Sequence, residues 1–296
     1  MTGARKLRLD ALLAERGLFP SRSRAAASVM AGEVFVQSAR PAVGDAAAGE
    51  RRAQKPGELV DVEARVRLAT RPAYVSRGGI KLANALDASG LQVRGRRALD
   101  VGASTGGFTD CLLQRGARSV IAVDVGYGTL DYRLRSDPRV LVLERTNARA
   151  LSPALLGAVS AKAHAPAHQP PDLATIDVSF ISINKVLTAV LSCLAPPYDV
   201  FALVKPQFEL GRGRVGKGGV VRSSEDRREA LIGVGEAALA LGAAVVGCYS
   251  SGLPGPKGNR ESFLWLTAAP PEGDPASMRG VRDAAAVHAI VRQVEP

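Results

Sequence analysis

No apolar run in this sequence approaches the roughly 18 residues that a membrane-spanning helix needs, and the opening residues MTGARKLRLD carry no apolar segment of the kind that directs export. A spanning segment and an ordinary signal peptide are therefore not expected, and a cytoplasmic protein is. Cysteine is scarce. Cys111, Cys193 and Cys248 stand far apart in apolar surroundings, which fits reduced core residues better than a disulfide framework or a metal site. Of the three histidines, His164 and His168 are four apart in AKAHAPAHQPP, but Pro166, Pro170 and Pro171 forbid a regular helix there. That stretch reads as a linker, and no metal is expected. Acidic residues are in deficit: 28 Asp+Glu against 39 Lys+Arg leave a net charge of +11, with a pI of about 10.1. A polyanionic partner such as nucleic acid is the leading electrostatic expectation, with an anionic membrane surface as its competitor.

What is present is a globular composition, 46% apolar over 296 residues, long enough for two domains and a large core. The stretch LDVGASTGGF, residues 99 to 108, organises the rest. Ala98, Leu99 and Val101 make a short buried strand with Asp100 near its end, and Phe108, Leu112 and Leu113 follow at helical spacing. Between them Gly102, Gly106 and Gly107, with Ser104, form a turn that lets a ligand approach the backbone at a helix amino end. The spacing is not the G-x-G-x-x-G of dinucleotide binders. Asp100 would repel a pyrophosphate and favour the cationic methionine end of S-adenosylmethionine (SAM), while Asp124, ending SVIAVDV, suits ribose hydroxyls. The candidate cofactor residues are Asp100, Gly102, Ser104, Gly106, Gly107, Phe108, Asp124 and, at a later strand end, Asn147.

Residues 7 to 36 divide into a short amphipathic helix, a Gly-Leu-Phe-Pro turn, a second helix opened by Ser21 or Ser23, and a Gly32-Glu33 turn into a strand. Arg5, Lys6, Arg8, Arg16, Arg22 and Arg24 outnumber two acids in the first 24 residues, a local +4. Beside two helix amino ends, Arg5, Lys6, Arg8, Arg22 and Arg24 are candidate phosphate contacts. The pattern RLD-x-x-L-x-x-x-G, SRS-x-A and G-x-V-x-V resembles the S4 RNA-binding domain, with KPGELVDV, residues 55 to 62, as its closing strand. Between them SARPAVGDAAAGERRAQ lacks the compact Asn-Gly turn, and the match lapses there. The expected organisation is an S4-like domain over 1–64, a basic linker over 65–77, a catalytic domain over 78–270 and a C-terminal tail or helix over 271–296.

From Arg97 the pattern alternates strand and helix, with strands expected near 97–102, 119–125, 140–144, 173–178, 199–205, 243–250 and 262–269. Too few residues separate the last two for a helical crossover, so they form an antiparallel hairpin. The expected class is α/β, a seven-stranded doubly wound sheet with one antiparallel strand, which resembles the Rossmann-like SAM-dependent methyltransferases. Strand ends are where such sheets bind ligands. Here they carry Asp100, Asp124, Asn147, Asp177 and Lys205, and a lysine after four apolar residues is costly to desolvate and often kept for its chemistry.

The ordered stretches DVGASTGGF, AVDVGYG, ERTNAR, DVSFIS, LVKPQFE, GKGGVV and LPGPKGN, after the S4-like start, resemble the TlyA family of ribosomal RNA ribose methyltransferases over residues 7 to about 268. The resemblance implies methyl transfer from SAM to a cytidine 2′-hydroxyl in ribosomal RNA, and a tetrad formed by Lys81, Asp177, Lys205 and Glu261. Such a set suits the chemistry. A ribose hydroxyl is a poor nucleophile that must be aligned with the methyl–sulfur bond and must lose its proton. Lys205 is expected nearest the hydroxyl, with Asp177 orienting it and Lys81 and Glu261 as the supporting pair. In the glycine-rich stretch 209–221, Arg212, Arg214 and Lys217 would overhang the site and clamp RNA phosphates. Family members have also been called haemolysins, which keeps a membrane-acting protein as the alternative, together with an inactive RNA-binding one. Target nucleotide, ribosomal subunit and oligomeric state stay open.

Overall fold

The computed structural model describes residues 5–37, 50–68, 73–162, 169–216, 218–268 and 280–295, and the chain divides into two units at Pro72/Ala73. The expected linker around His164 and His168, most of the 37–54 stretch, Lys217 and the side chain of Arg212 lie outside the described residues.

The first unit contains β1 (Lys6–Arg8), α1 (Leu9–Glu15), α2 (Arg22–Met30), β2 (Val34–Gln37), β3 (Arg51–Arg52), β4 (Leu59–Asp61) and β5 (Arg65–Leu68). Of the two candidate caps it is Ser21 that opens α2, its hydroxyl accepting the Arg24 N–H at 3.3 Å. Leu9, Leu12 and Leu13 of α1 pack with Ala25 and Val29 of α2 on Val34, Val36 and Val60. β1 pairs antiparallel with β4, and β2 stands between β3 and β5. The strand β5 corrects the expectation of a linker from residue 65. Arg-Val-Arg-Leu alternates with the period of a strand, which sends Val66 and Leu68 toward the core and lays the Arg67 guanidinium 4.2 Å over the Phe35 ring on β2.

The second unit contains α3 (Arg77–Ser89), β6 (Arg97–Val101), α4 (Gly107–Gln114), β7 (Ser119–Val123), α5 (Tyr132–Arg135), β8 (Val140–Leu143), α6 (Pro153–Lys162), β9 (Leu173–Ile176), α7 (Leu187–Ser192), β10 (Asp199–Val204), α8 (Pro206–Glu209), α9 (Ser224–Ala240), β11 (Ala243–Ser250), β12 (Ser262–Ala268) and α10 (Ala284–Val294). All seven expected strands form, within two residues of the expected bounds. The sheet order is β11-β12-β10-β9-β6-β7-β8, and β12 alone runs antiparallel, inserted between β10 and β11. β10 shows why the sheet is covered on both faces: Val200, Ala202 and Val204 belong to one apolar cluster, Phe201 and Leu203 to the other. Past the undescribed 269–279, α10 seats Val287 so near α9 that a Cβ on Gly235 would fall 2.7 Å from it, and Glu295 pairs with the buried Arg227 at 2.9 Å. All three cysteines are buried and free. Among the described residues no helix is long and apolar enough to cross a membrane.

Candidate active site

Outside the carboxyl ends of the central parallel strands lies a cavity of about 560 Å³, the place where open α/β sheets bind ligands. The turn after β6 contributes Gly102, Ser104, Gly107 and Phe108. The segment after β9 contributes Asp177, Ser179 and Phe180, and the end of β10 contributes Lys205. Lys81 reaches in from α3, and Glu261 stands immediately before β12. The fold thus gathers the four residues of the expected tetrad at one cavity.

On the β6–β7 side the backbone approaches its neighbours too closely for side chains. Gly102 has φ +88°, and a Cβ there would lie 2.6 Å from the Asp177 carbonyl oxygen; one on Gly107 would lie 2.8 Å from the Gly79 amide. Gly106 has φ +96° and packs on Leu130 and Leu134 without lining the cavity. Asp124 accepts the Ser104 N–H at 2.7 Å and the Gly126 N–H at 2.6 Å, one on each oxygen, so it sets the turn that it also faces. Asn147 is exposed and caps a short 3-10 turn by accepting the Arg149 N–H at 3.0 Å. Asp100 departs from expectation. It is fully buried behind the turn, accepts hydroxyl hydrogens from Thr109 at 2.6 Å and Thr175 at 2.9 Å, and does not line the cavity. Burial pushes its carboxyl up to about 6 against those two hydrogen bonds. It shapes the strand end from the interior.

The bare turn fits the close backbone approach that SAM needs, with Gly102, Ser104, Gly107 and Phe108 lining the cavity; Asp124, at the end of β7, does not line it and holds the turn through its two backbone hydrogen bonds. Replacing Asp124 with Ala should weaken SAM binding by about 1.5–3 kcal/mol, the scale of a charged hydrogen bond. Calorimetry on the folded variant checks it, and unchanged affinity would remove Asp124 from the site.

The tetrad forms two ion pairs. Lys81 Nζ donates to Glu261 Oε2 at 2.5 Å, with side chains 9% and 1% exposed, and the loop before Glu261 sits so close that a Cβ on Gly255 would fall 2.3 Å from its Oε1. Lys205 Nζ lies 2.6 Å from Asp177 Oδ1 and donates to Ser179 Oγ at 2.8 Å. Asp177 is 25% exposed, so this second pair is the more open of the two, while the first lines the same cavity but is nearly inaccessible to solvent.

Sequence reasoning missed Phe180, although it lies in the quoted DVSFIS. Its ring is 93% exposed, its backbone is left-handed at φ +65°, and it leans on Phe208 with centroids 5.2 Å apart. An exposed large apolar side chain on strained backbone is a functional signature, but neither property is written in residue order. Glu209 holds this segment by accepting from Ser182 Oγ at 2.6 Å and the Ile183 N–H at 2.9 Å. Asn259, buried at the cavity wall, was also missed.

The expected phosphate clamp is altered at Arg214, whose guanidinium bonds both Asp226 and Glu229. These acids lie three apart on α9 and so present one face; a phosphate would have to compete with two carboxylates for this guanidinium, which is 41% exposed. In the first unit, Arg5, Lys6 and Arg24 are exposed. Arg8 and Arg22 share Asp10 at 2.8 and 3.6 Å but remain more than half exposed, and pairs of that kind contribute little and leave both groups open to phosphate.

Comparison with known proteins supplies a frame for this geometry. The FtsJ-like methyltransferase family model matches residues 74–268. The Mycobacterium tuberculosis 16S/23S rRNA (cytidine-2′-O)-methyltransferase TlyA is 45% identical over 98% of this chain and 99% of its own. Hemolysin A of Brachyspira hyodysenteriae is 35% identical over 86% of this chain and 97% of its own. A solved structure from Streptococcus thermophilus, described as a candidate hemolysin, superposes with a TM-score of 0.66 at 37% identity, covering 98% of this chain and 96% of that one.

Proposed function

The chain belongs to the FtsJ-like methyltransferase family, in its TlyA branch, and from that premise we propose that it transfers a methyl group from SAM to the 2′-hydroxyl of a cytidine in ribosomal RNA, working in the cytoplasm. The observation that carries this reading is the open Lys205–Asp177 pair at the cavity, backed by the buried Lys81–Glu261 pair. When bound, SAM supplies an electrophilic methyl group on sulfur. Lys205, fixed by Asp177 and Ser179, meets the ribose hydroxyl and orients its oxygen for attack; as a neutral amine, its ammonium proton first released to solvent, it takes the hydroxyl proton as the oxygen is methylated. Lys81 and Glu261 hold the charge pattern behind Lys205 in place. Phe180 offers its exposed ring to the base of the acceptor nucleotide, as aromatics do in recognising unstacked bases. Incubating the chain with labelled SAM and ribosomal RNA or subunits, then mapping the modified riboses, tests the proposal; label on a base and none on ribose would refute it.

The first unit, with its basic surface, captures the RNA. A chain that starts at Ala73, where the second unit begins, should keep SAM affinity and lose most RNA affinity, and binding by the full chain should fall steeply with salt. A cut after residue 62 is a poorer test, because it strips β5 of its partner β2. Filter binding over a salt series checks this, and equal RNA affinity for the two chains would sink it.

A further inference from the structure

One wall of the cavity is made by two segments from distant parts of the chain, residues 218–221 and 255–259, and a single side chain ties them together. Asn259 is 2% exposed. Its Oδ1 accepts the Val221 N–H at 2.9 Å, and its Nδ2 donates to the Gly219 carbonyl at 2.8 Å. Its own carbonyl accepts the Gly255 N–H at 2.8 Å and closes the turn that carries Lys257. Both ends of the amide are therefore engaged with one loop while its backbone shapes the other. No other side chain of this size offers an acceptor and a donor in that arrangement: Asp lacks the donor and Leu lacks both. The loop that is held would otherwise be loose, since Gly218 and Gly219 lie within it and glycine-rich backbone loses the most freedom on ordering.

Val215, Gly219, Lys257 and Asn259 line the same cavity as Lys205 and Glu261. In the sheet, β12 and β10 are neighbours, whereas β7, which carries Asp124 at its end, stands three strands from β10. The wall therefore belongs to the acceptor half of the cavity. We propose that Asn259 is a positioning residue that holds the 218–221 segment against the 255–259 turn, so that the wall admits the acceptor ribose in one pose over Lys205. It acts on the acceptor and leaves the cofactor cradle alone. The inference rests on the proposed ribose methylation and adds a residue to it.

The test uses the full chain and three readouts: amide hydrogen exchange at Val221, kcat/KM for ribosomal RNA, and SAM affinity by calorimetry. Asn259→Ala should strip Val221 of its protection and lower kcat/KM for RNA at least tenfold, with SAM affinity held within twofold. Asn259→Asp keeps the acceptor for the Val221 N–H and should restore its protection and part of the turnover. Unchanged exchange at Val221, or SAM affinity and melting temperature falling in step with turnover, would overturn the positioning role. Normal transfer by both wild type and Asn259→Ala would overturn that role alone. Absence of transfer by the wild type would overturn the methylation reading and the role built on it.

Discussion

Lys205→Ala should retain SAM and RNA binding and lose methyl transfer by a factor on the order of 10²–10⁴, the contribution of a positioned acid–base group. The variant should stay folded. Its partner Asp177 is a quarter exposed at the cavity, although the Oδ1 that faces Lys205 is buried without another partner, so a modest fall in melting temperature should accompany the far larger loss of transfer. Lys205→Arg sharpens the result, because a guanidinium keeps the charge but does not give up its proton. If Lys205 takes the hydroxyl proton, Arg should be nearly as inactive as Ala; if only its charge matters, Arg should recover much of the rate. Single-turnover transfer to ribosomal RNA at saturating SAM separates these outcomes, and full turnover by a stable Lys205→Ala protein would end the assignment.

Lys81→Ala and Glu261→Ala should behave differently, because this pair lies out of water. Removing either partner leaves a nearly inaccessible charge without compensation, which costs about 3–5 kcal/mol. At roughly 2–4 °C per kcal/mol for a unit of this size, the melting temperature of each single variant should fall by about 6–20 °C. The double variant Lys81→Met/Glu261→Leu should recover most of that loss, since apolar residues of similar volume often replace a buried ion pair without net cost, yet it should remain inactive. Calorimetric melting of the three proteins checks this. A single variant that melts within a degree of the wild type would show that the pair is not the sealed support its geometry describes.

Much of the catalytic unit was legible in the sequence because both faces of its sheet are buried. Runs such as DVFALV and SVIAV read as strands, and the acid or lysine after each run marks the edge where ligands sit. The pairing of Lys81 with Glu261 and of Lys205 with Asp177 was implied by the family resemblance; residue order by itself marks Asp177 and Lys205 at strand ends and gives no reason to join Lys81 to Glu261. Other features depended on three-dimensional context. Asp100 was expected to meet the cofactor, but residue order does not tell which face of β6 it takes, and Thr109 and Thr175 claim it from the interior. Arg214 looked free because its acids lie downstream on a helix whose face toward it is fixed only by folding. Arg65–Leu68 reads as a basic connector because its two arginines mask a period-two pattern. Phe180 and Asn259 escaped notice because exposure, left-handed backbone and long-range amide bonds leave little trace in composition.

The insertion of β12 between β10 and β11 has a consequence for the order in which the molecule can be made. Lys81 and Glu261 are 180 positions apart, and a nascent chain that folds from its amino end builds α3, the glycine turn and β10 before the partner of Lys81 has been synthesised. Until then β10 is an open sheet edge and the Lys81 ammonium has no counterion. If Glu261 supports the reaction as proposed, competence waits for the residue that leads into the last strand of the sheet, and a chain halted before residue 261 should bind SAM without transferring its methyl group.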